Sequence, residues 1–141
     1  MRVTPSVELS SPGAEVNMYG VYLANTGNFF EHRPYVDHIA ANCVSNVAYK
    51  GALQGKGAHT VWVGDVLIRE SATGTSTYEL NRNLLLTDGA RADSVPNLEI
   101  ETGKIEGAGH ASASGRFDDE QLFYLRSRGI DEAEARRLVV L

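Results

Sequence analysis

Apolar and polar positions alternate in short runs along most of this chain, and turn-forming residues break the runs. Val16-Asn17-Met18-Tyr19-Gly20-Val21-Tyr22-Leu23 and Val61-Trp62-Val63-Gly64-Asp65-Val66-Leu67-Ile68 are rich in β-branched and aromatic residues and predict strands. Asn25-Thr26-Gly27-Asn28, Gly55-Lys56-Gly57, Ala72-Thr73-Gly74 and Thr87-Asp88-Gly89 punctuate them. Gly and Asn accept the positive φ that tight turns need, so these are turn signals with a mechanism. Strands and turns are therefore expected through about Ser114. Beneath them lies an imperfect repeat: Leu84-Leu85-Leu86 follows Val66-Leu67-Ile68 by eighteen residues, and Leu98-Glu99-Ile100 comes after another turn. Such spacing suits a β-solenoid whose rungs stack their inward side chains, with Val66, Leu67, Leu84, Leu85 and Leu98 contributing to the core. A two-sheet sandwich spaces short strands in the same way, so the repeat alone leaves both open.

The pattern changes in the last quarter. Phe117-Asp118-Asp119-Glu120-Gln121-Leu122 predicts a helix start, with Asp118 as the cap, Gln121 as its box partner, and Phe117 and Leu122 as a hydrophobic staple. Gly129 ends that helix in the left-handed conformation it tolerates. Ile130-Asp131-Glu132-Ala133-Glu134-Ala135 repeats the start with cap Asp131 and box partner Glu134. The second helix runs into Val139-Val140-Leu141 without a stop signal, and strand-like residues follow Met1 directly. Both ends are expected to be edges of a larger protein.

Composition narrows the function classes. The 141 residues carry a net charge of -5, and Arg126, Arg128, Arg136 and Arg137 lie among acidic neighbours. A general grip on nucleic acid needs clustered cations, so none is expected. One cysteine, Cys43, makes no intrachain disulfide and cannot supply the four thiolates an iron–sulfur cluster commonly takes. No apolar run approaches the ~20 residues of a membrane span, and no signal-peptide pattern opens the chain. No membrane association is expected, and the chain reads as cytoplasmic.

Four histidines are candidate ligands. His32 and His38 lie six apart, with Glu31 or Asp37 as further metal ligands, although polar strand and turn positions explain them more simply. His59 opens a strand. His110 stands among small residues, Gly107-Ala108-Gly109-His110-Ala111-Ser112-Ala113-Ser114-Gly115, where a partner backbone can come close. It suits a ligand at an interface or a packed histidine equally well. Ser112 and Ser114 are too near it on a strand to build a nucleophilic triad. Asp65, Asp88 and Asp93 with Arg69 and Arg91 are the residue types of carbohydrate-active solenoids, whose chemistry needs carboxylates converging on one face. No Lys-Ser or Lys-Thr pair follows Gly51, Gly55 or Gly57, so there is no Walker-type phosphate loop. Cys43 is read as a small buried hydrophobe.

Several segments together resemble the SufB–SufD family of the Suf iron–sulfur cluster assembly machinery, and within it the SufD branch. Asn42-Cys43 and Tyr49-Lys50-Gly51-Ala52-Leu53 are similar to a strand of the shared core. Tyr78-Glu79-Leu80-Asn81-Arg82-Asn83-Leu84-Leu85-Leu86 and Ala92-Asp93-Ser94-Val95-Pro96-Asn97-Leu98-Glu99-Ile100 continue the likeness. Gly109-His110-Ala111, followed by Asp118-Asp119-Glu120-Gln121-Leu122-Phe123-Tyr124-Leu125-Arg126-Ser127-Arg128-Gly129-Ile130, resembles the family's end signature. The likeness runs from about Gly20 to the last residue; full-length members carry an N-terminal region and a longer C-terminal helical part besides.

The resemblance implies a mainly β chain: a right-handed parallel β-helix core over residues 1–116, then two short helices in a segment spanning 117–141. It also implies a complex in which SufB pairs with SufD and C-terminal helices bind the ATPase SufC. The key groups at the SufB–SufD interface are a SufB cysteine and a SufD histidine. The histidine falls at His110 and the cysteine position at Asn81, which favours SufD; some SufD sequences have a cysteine where this chain has Ala108. The expected function is a non-enzymatic scaffold. His110 would face the nascent cluster, and Asp119, Glu120, Phe123 and Tyr124 would face SufC. No cofactor would be held stably by this chain alone, the cluster being assembled transiently in the complex. The isolated chain is expected to form homodimers through open strand edges. A carbohydrate-active β-helix using Asp88, Asp93 and Arg91, and a purely structural solenoid, are the competing readings.

Overall fold

The computed structural model describes residues 1–140; Leu141, the last residue of the expected helical segment, lies outside them. Short strands β1 (Arg2–Val3) and β2 (Ser6–Leu9) precede β3 (Glu15–Ala24), and β4 (Phe29–His32) and β5 (Tyr35–His38) precede β6 (Val44–Leu53). Four ten-residue strands follow: β7 (His59–Ile68), β8 (Ser76–Leu85), β9 (Arg91–Ile100) and β10 (Gly107–Arg116). Every pairing is parallel. In one sheet β7 pairs with β4 and β5 on one side and β9 on the other, while the second sheet runs β10-β8-β6-β3. From β6 onward successive strands alternate between the two sheets, and β1/β2 and β4/β5 supply the first sheet's earlier rungs, so the chain coils through about four turns of a parallel β-solenoid.

The register corrects the repeat expected above. Glu15 pairs with Val44 and His59 with Arg91, so one full coil takes 29 to 32 residues. Eighteen residues link two faces of one coil: Val66 lies on β7, Leu84 on β8 in the other sheet. The residue stacked on Val66 is Leu98. Strand alternation corrects the core as well. Val66 is buried, and Leu85 and Leu98 pack against the core from partly buried positions. Leu67 and Leu84 alternate with inward neighbours, so they point outward and stay half-buried.

Backbone chemistry keeps the rungs in step. Gly27, Gly57 and Gly89 hold φ of 72°, 77° and 81° at one corner. Gly27 N donates to Lys56 O and Gly57 N to Gly89 O. At the opposite corner Gly13, Asn42 and Gly74 do the same, and Asn42 (φ 58°) is the one non-glycine residue with positive φ among the described residues. A third column runs through the first sheet. Pro5 O accepts from Tyr35 N, Pro34 O accepts from Asp65 N, and Gly64 pairs with Pro96. A proline has no N–H to give the ladder, and β1/β2 and β4/β5 are each interrupted at this column, although β9 runs through Pro96 unbroken.

After Arg116 the chain turns into α1 (Asp119–Ser127) and α2 (Glu132–Val140). Asp118 caps α1 by accepting from Glu120 N and Gln121 N, and Asp131 Oδ1 accepts from Glu134 N at 3.1 Å. Gly129 (φ 88°) and the bond from Ile130 N to Leu125 O close α1 in a Schellman turn. Leu122 and Ala135 are the buried residues of the pair. No helix among the described residues is long and apolar enough to cross a membrane.

Candidate functional site

The inward positions of β8 are Thr77, Glu79, Asn81, Asn83 and Leu85, mostly polar, while Tyr78, Leu80 and Leu84 point outward. Tyr22 reaches in from β3 and donates its hydroxyl to Asn83 Oδ1 at 2.5 Å. Asn81 Nδ2 donates to the Tyr22 hydroxyl oxygen at 2.9 Å and to Tyr49 O at 3.2 Å. Asn83 Nδ2 donates to Asn81 Oδ1 at 2.8 Å. Burial holds the Tyr22 phenol above its usual pKa, partly offset by these amide contacts. Two glycines make room: a Cβ on Gly51 would stand 2.0 Å from the Tyr22 ring, and one on Gly20 would stand 2.1 Å from the Tyr49 ring.

The network leads to the end strand of its sheet. Glu79 pairs with His110, Asn81 with Ser112 and Asn83 with Ser114, so these β10 residues share the inward face of the residues beneath them. Asn83 Nδ2 lies 3.5 Å from Ser114 Oγ. His110 itself is exposed, because β10 has a strand on one side only. Below it Glu79 is fully buried, and neither carboxylate oxygen has a hydrogen-bond partner. Burial, with the charge of Asp65 adding to it, raises the Glu79 carboxyl to about 7.

The other candidates are accounted for separately. His32 stacks on Tyr22 at 4.8 Å between ring centroids, whereas His38 Nε2 bonds Ser45 Oγ at 2.8 Å on the next strand. Burial lowers the pKa of both imidazoles. Glu31 is held by Arg2 and Arg33, and Asp37 by Arg69. Among the described residues no group of three His, Cys, Asp or Glu side chains is placed to hold a metal. His59 Nε2 meets Asp93 Oδ2 at 2.7 Å, and Arg91 closes on the same carboxylate. Asp88 is spent on Arg116 instead. The two carboxylates of the carbohydrate reading are thus each neutralised by a different arginine. Cys43 is fully buried, its thiol directed at Ser11 O and Ala41 O. Asp119, Glu120, Phe123 and Tyr124 are all exposed on α1. Glu120 and Tyr124 line a groove of about 550 Å³ with Leu125, Leu138 and Val139.

The parallel solenoid matches the fold that the sequence resemblance implied, and likeness to known proteins decides the family. Residues 1–141 match the SufBD core domain of the SUF system for FeS cluster assembly. This chain belongs to the SufBD core family. It is 65% identical over 146 residues to an iron–sulfur cluster assembly SufBD family protein of Mycobacterium tuberculosis, covering 99% of this chain and 37% of that protein. It is 29% identical to the iron–sulfur cluster assembly protein SufD of Escherichia coli (99% of this chain, 33% of that protein) and 31% identical to SufD of Plasmodium berghei (99% and 10%). The chain thus spans little more than a third of the mycobacterial SufBD protein. Within this SufBD chain the residue that sequence reading passed over is Glu79. It left no local signal: Glu79 is in phase with Thr77, Asn81 and Asn83, and the opposite phase with Tyr78, Leu80 and Leu84 reads as the inward one.

Proposed function

We propose that this chain is the histidine-bearing half of an iron–sulfur assembly platform: a SufD-type scaffold subunit, non-enzymatic and cytoplasmic, that pairs with SufB and binds the SufC ATPase. The observation that carries this reading is the placement of His110. It is exposed on the end strand of a rigid ladder, and Gly109 and Ala111 leave its surroundings open to a partner chain. Imidazole can offer a nitrogen to iron or a proton to bridging sulfide. The cluster is cargo, formed in the complex and passed on. Asn81 stands at the position of the SufB cysteine and is occupied in the Tyr22–Asn83 network, which fits a subunit whose thiol ligand comes from its partner. On α1, Asp119, Glu120, Phe123 and Tyr124 present a mixed acidic and aromatic face suited to SufC.

In the full-length protein, His110→Ala is expected to leave assembly with SufB and SufC, ATP hydrolysis and melting temperature nearly unchanged. Cluster supply in a Suf-deficient strain should fall. Full complementation by the variant would remove the residue from the mechanism. For the isolated chain, the unpaired edges of β3 and β10 are expected to drive homodimer formation in place of SufB pairing. Light scattering reporting a monomer at high concentration would contradict that.

A further inference from the structure

The outward faces of the two sheets differ in kind. On the first sheet the outward charges are paired with one another: Arg2 and Arg33 with Glu31, Arg69 with Asp37, and Arg91 with Asp93. On the second sheet Tyr19, Val21 and Leu23 point outward from β3 and are 71%, 78% and 69% exposed. Leu80 and Leu84 continue these apolar rows on β8. Between them lie Lys50 and Arg82, register partners on β6 and β8, both exposed and neither ion-paired among the described residues. Like charges side by side on paired strands repel each other. The one acid among the outward positions of this sheet, Glu15, stands three rows away and cannot relieve them. A groove of about 420 Å³ opens here, bounded by Leu23, Leu84 and Val140 of α2, with both cations in its lining.

We propose that this face docks a partner protein through an acidic amphipathic helix, whose aliphatic stripe fills the groove and whose carboxylates meet Lys50 and Arg82. The chemistry of the partner follows from what the face lacks. Two unpaired cations in an apolar field call for carboxylates brought from outside, and the exposed tyrosine, valine and leucine call for apolar cover. The form of the partner follows from the ladder. β6 and β8 are each bonded on both sides, so their backbones have nothing to offer an added strand. Recognition must run through side chains, as when a helix lies in a groove. Docking here is independent of His110, which lies in the inward phase of β10, and of the α1 face.

Fluorescence anisotropy of the full-length protein with two labelled helical peptides tests this. One peptide carries a leucine stripe flanked by glutamates; the other has lysines in place of the glutamates. The acidic peptide is expected to bind about tenfold or more tighter. The net charge of -5 over these 141 residues would by itself favour the basic one. Lys50→Glu combined with Arg82→Glu should reverse the preference, a gain that misfolding cannot produce, and should leave assembly with SufB and SufC unchanged. Equal binding of both peptides by the wild type, or binding of neither, overturns the proposal. Loss of SufB or SufC assembly in the charge-reversed protein would assign the face to that interface and overturn it too. Binding to phosphatidylglycerol vesicles that the charge reversal abolishes would make it a membrane face instead. Maleimide labelling of Val21→Cys, read on the peptide that carries residue 21, separates the remaining occupants. Ready labelling supports a face open to a partner. Protection at every protein concentration means that the protein's own chain covers it, and protection that grows with concentration means that a second copy does; either refutes a separate partner.

Discussion

Replacing Trp62 by alanine is expected to destabilise the protein by about 3–5 kcal/mol, as for other large aromatic-to-alanine core changes. Trp62 is fully buried and pairs with His32 on one side and Ser94 on the other, so it spans the middle of the stack. Its ring lies 6.1 Å from that of Tyr49. The indole also occupies space that a side chain at residue 64 would need: a Cβ on Gly64 would stand 2.2 Å from Trp62 Cη2. Gly64→Ala should therefore be costly in the wild type and much cheaper in a Trp62→Phe background, a coupling that a double-mutant cycle reads directly. Chemical denaturation provides all four values. Additive effects of the two substitutions would show that the indole does not depend on Gly64.

Between pH 5 and pH 8 the protein should lose about 2.5 kcal/mol of stability through Glu79 alone, using 1.36 kcal/mol per pKa unit. Its folded-state pKa of about 7 lies above the ordinary value of 4.5. The folded protein therefore holds this proton more tightly than the unfolded chain. The contribution is complete below pH 4.5 and is lost as pH rises through 7. His32 and His38 act in the opposite direction, since their lowered pKa values cost stability as pH falls below 6.5. The difference between wild type and Glu79→Gln isolates the carboxyl, and denaturant midpoints across the range measure it. Parallel pH profiles for the two proteins would show that Glu79 is not held in an apolar setting.

The fold class was legible because turns and strands alternate and because the C-terminal caps are strong; Asp118, Gly129 and Asp131 all act as expected. The true period was also written in the chain. Gly27, Gly57 and Gly89 recur at rung spacing, as do Pro5, Pro34 and Pro96 around the Gly64 rung. Apolar triplets obscured it, because leucines occur on both faces of a strand that packs inward and is half-covered outward. Asn81 and His110 could be named from family likeness. Glu79 could not, because which face of β8 is inside depends on partners 31 and 32 residues away. No local pattern reveals that a Thr, a Glu and two Asn face the core while Tyr78 faces solvent.

Because each strand is bonded to one a full coil away in sequence, no rung of this solenoid can be completed by a short local segment. Two neighbouring coils must meet before the first ladder is satisfied, and the loop they close is long. Folding should accordingly be slow to nucleate and rapid to extend, each new coil templating on the last. On the ribosome β3 and β6 emerge before β8 and β10, so within this chain the stack grows toward β10. The strand bearing His110 is then the last to be laid down, and the exposed histidine is presented only after the rungs beneath it have formed.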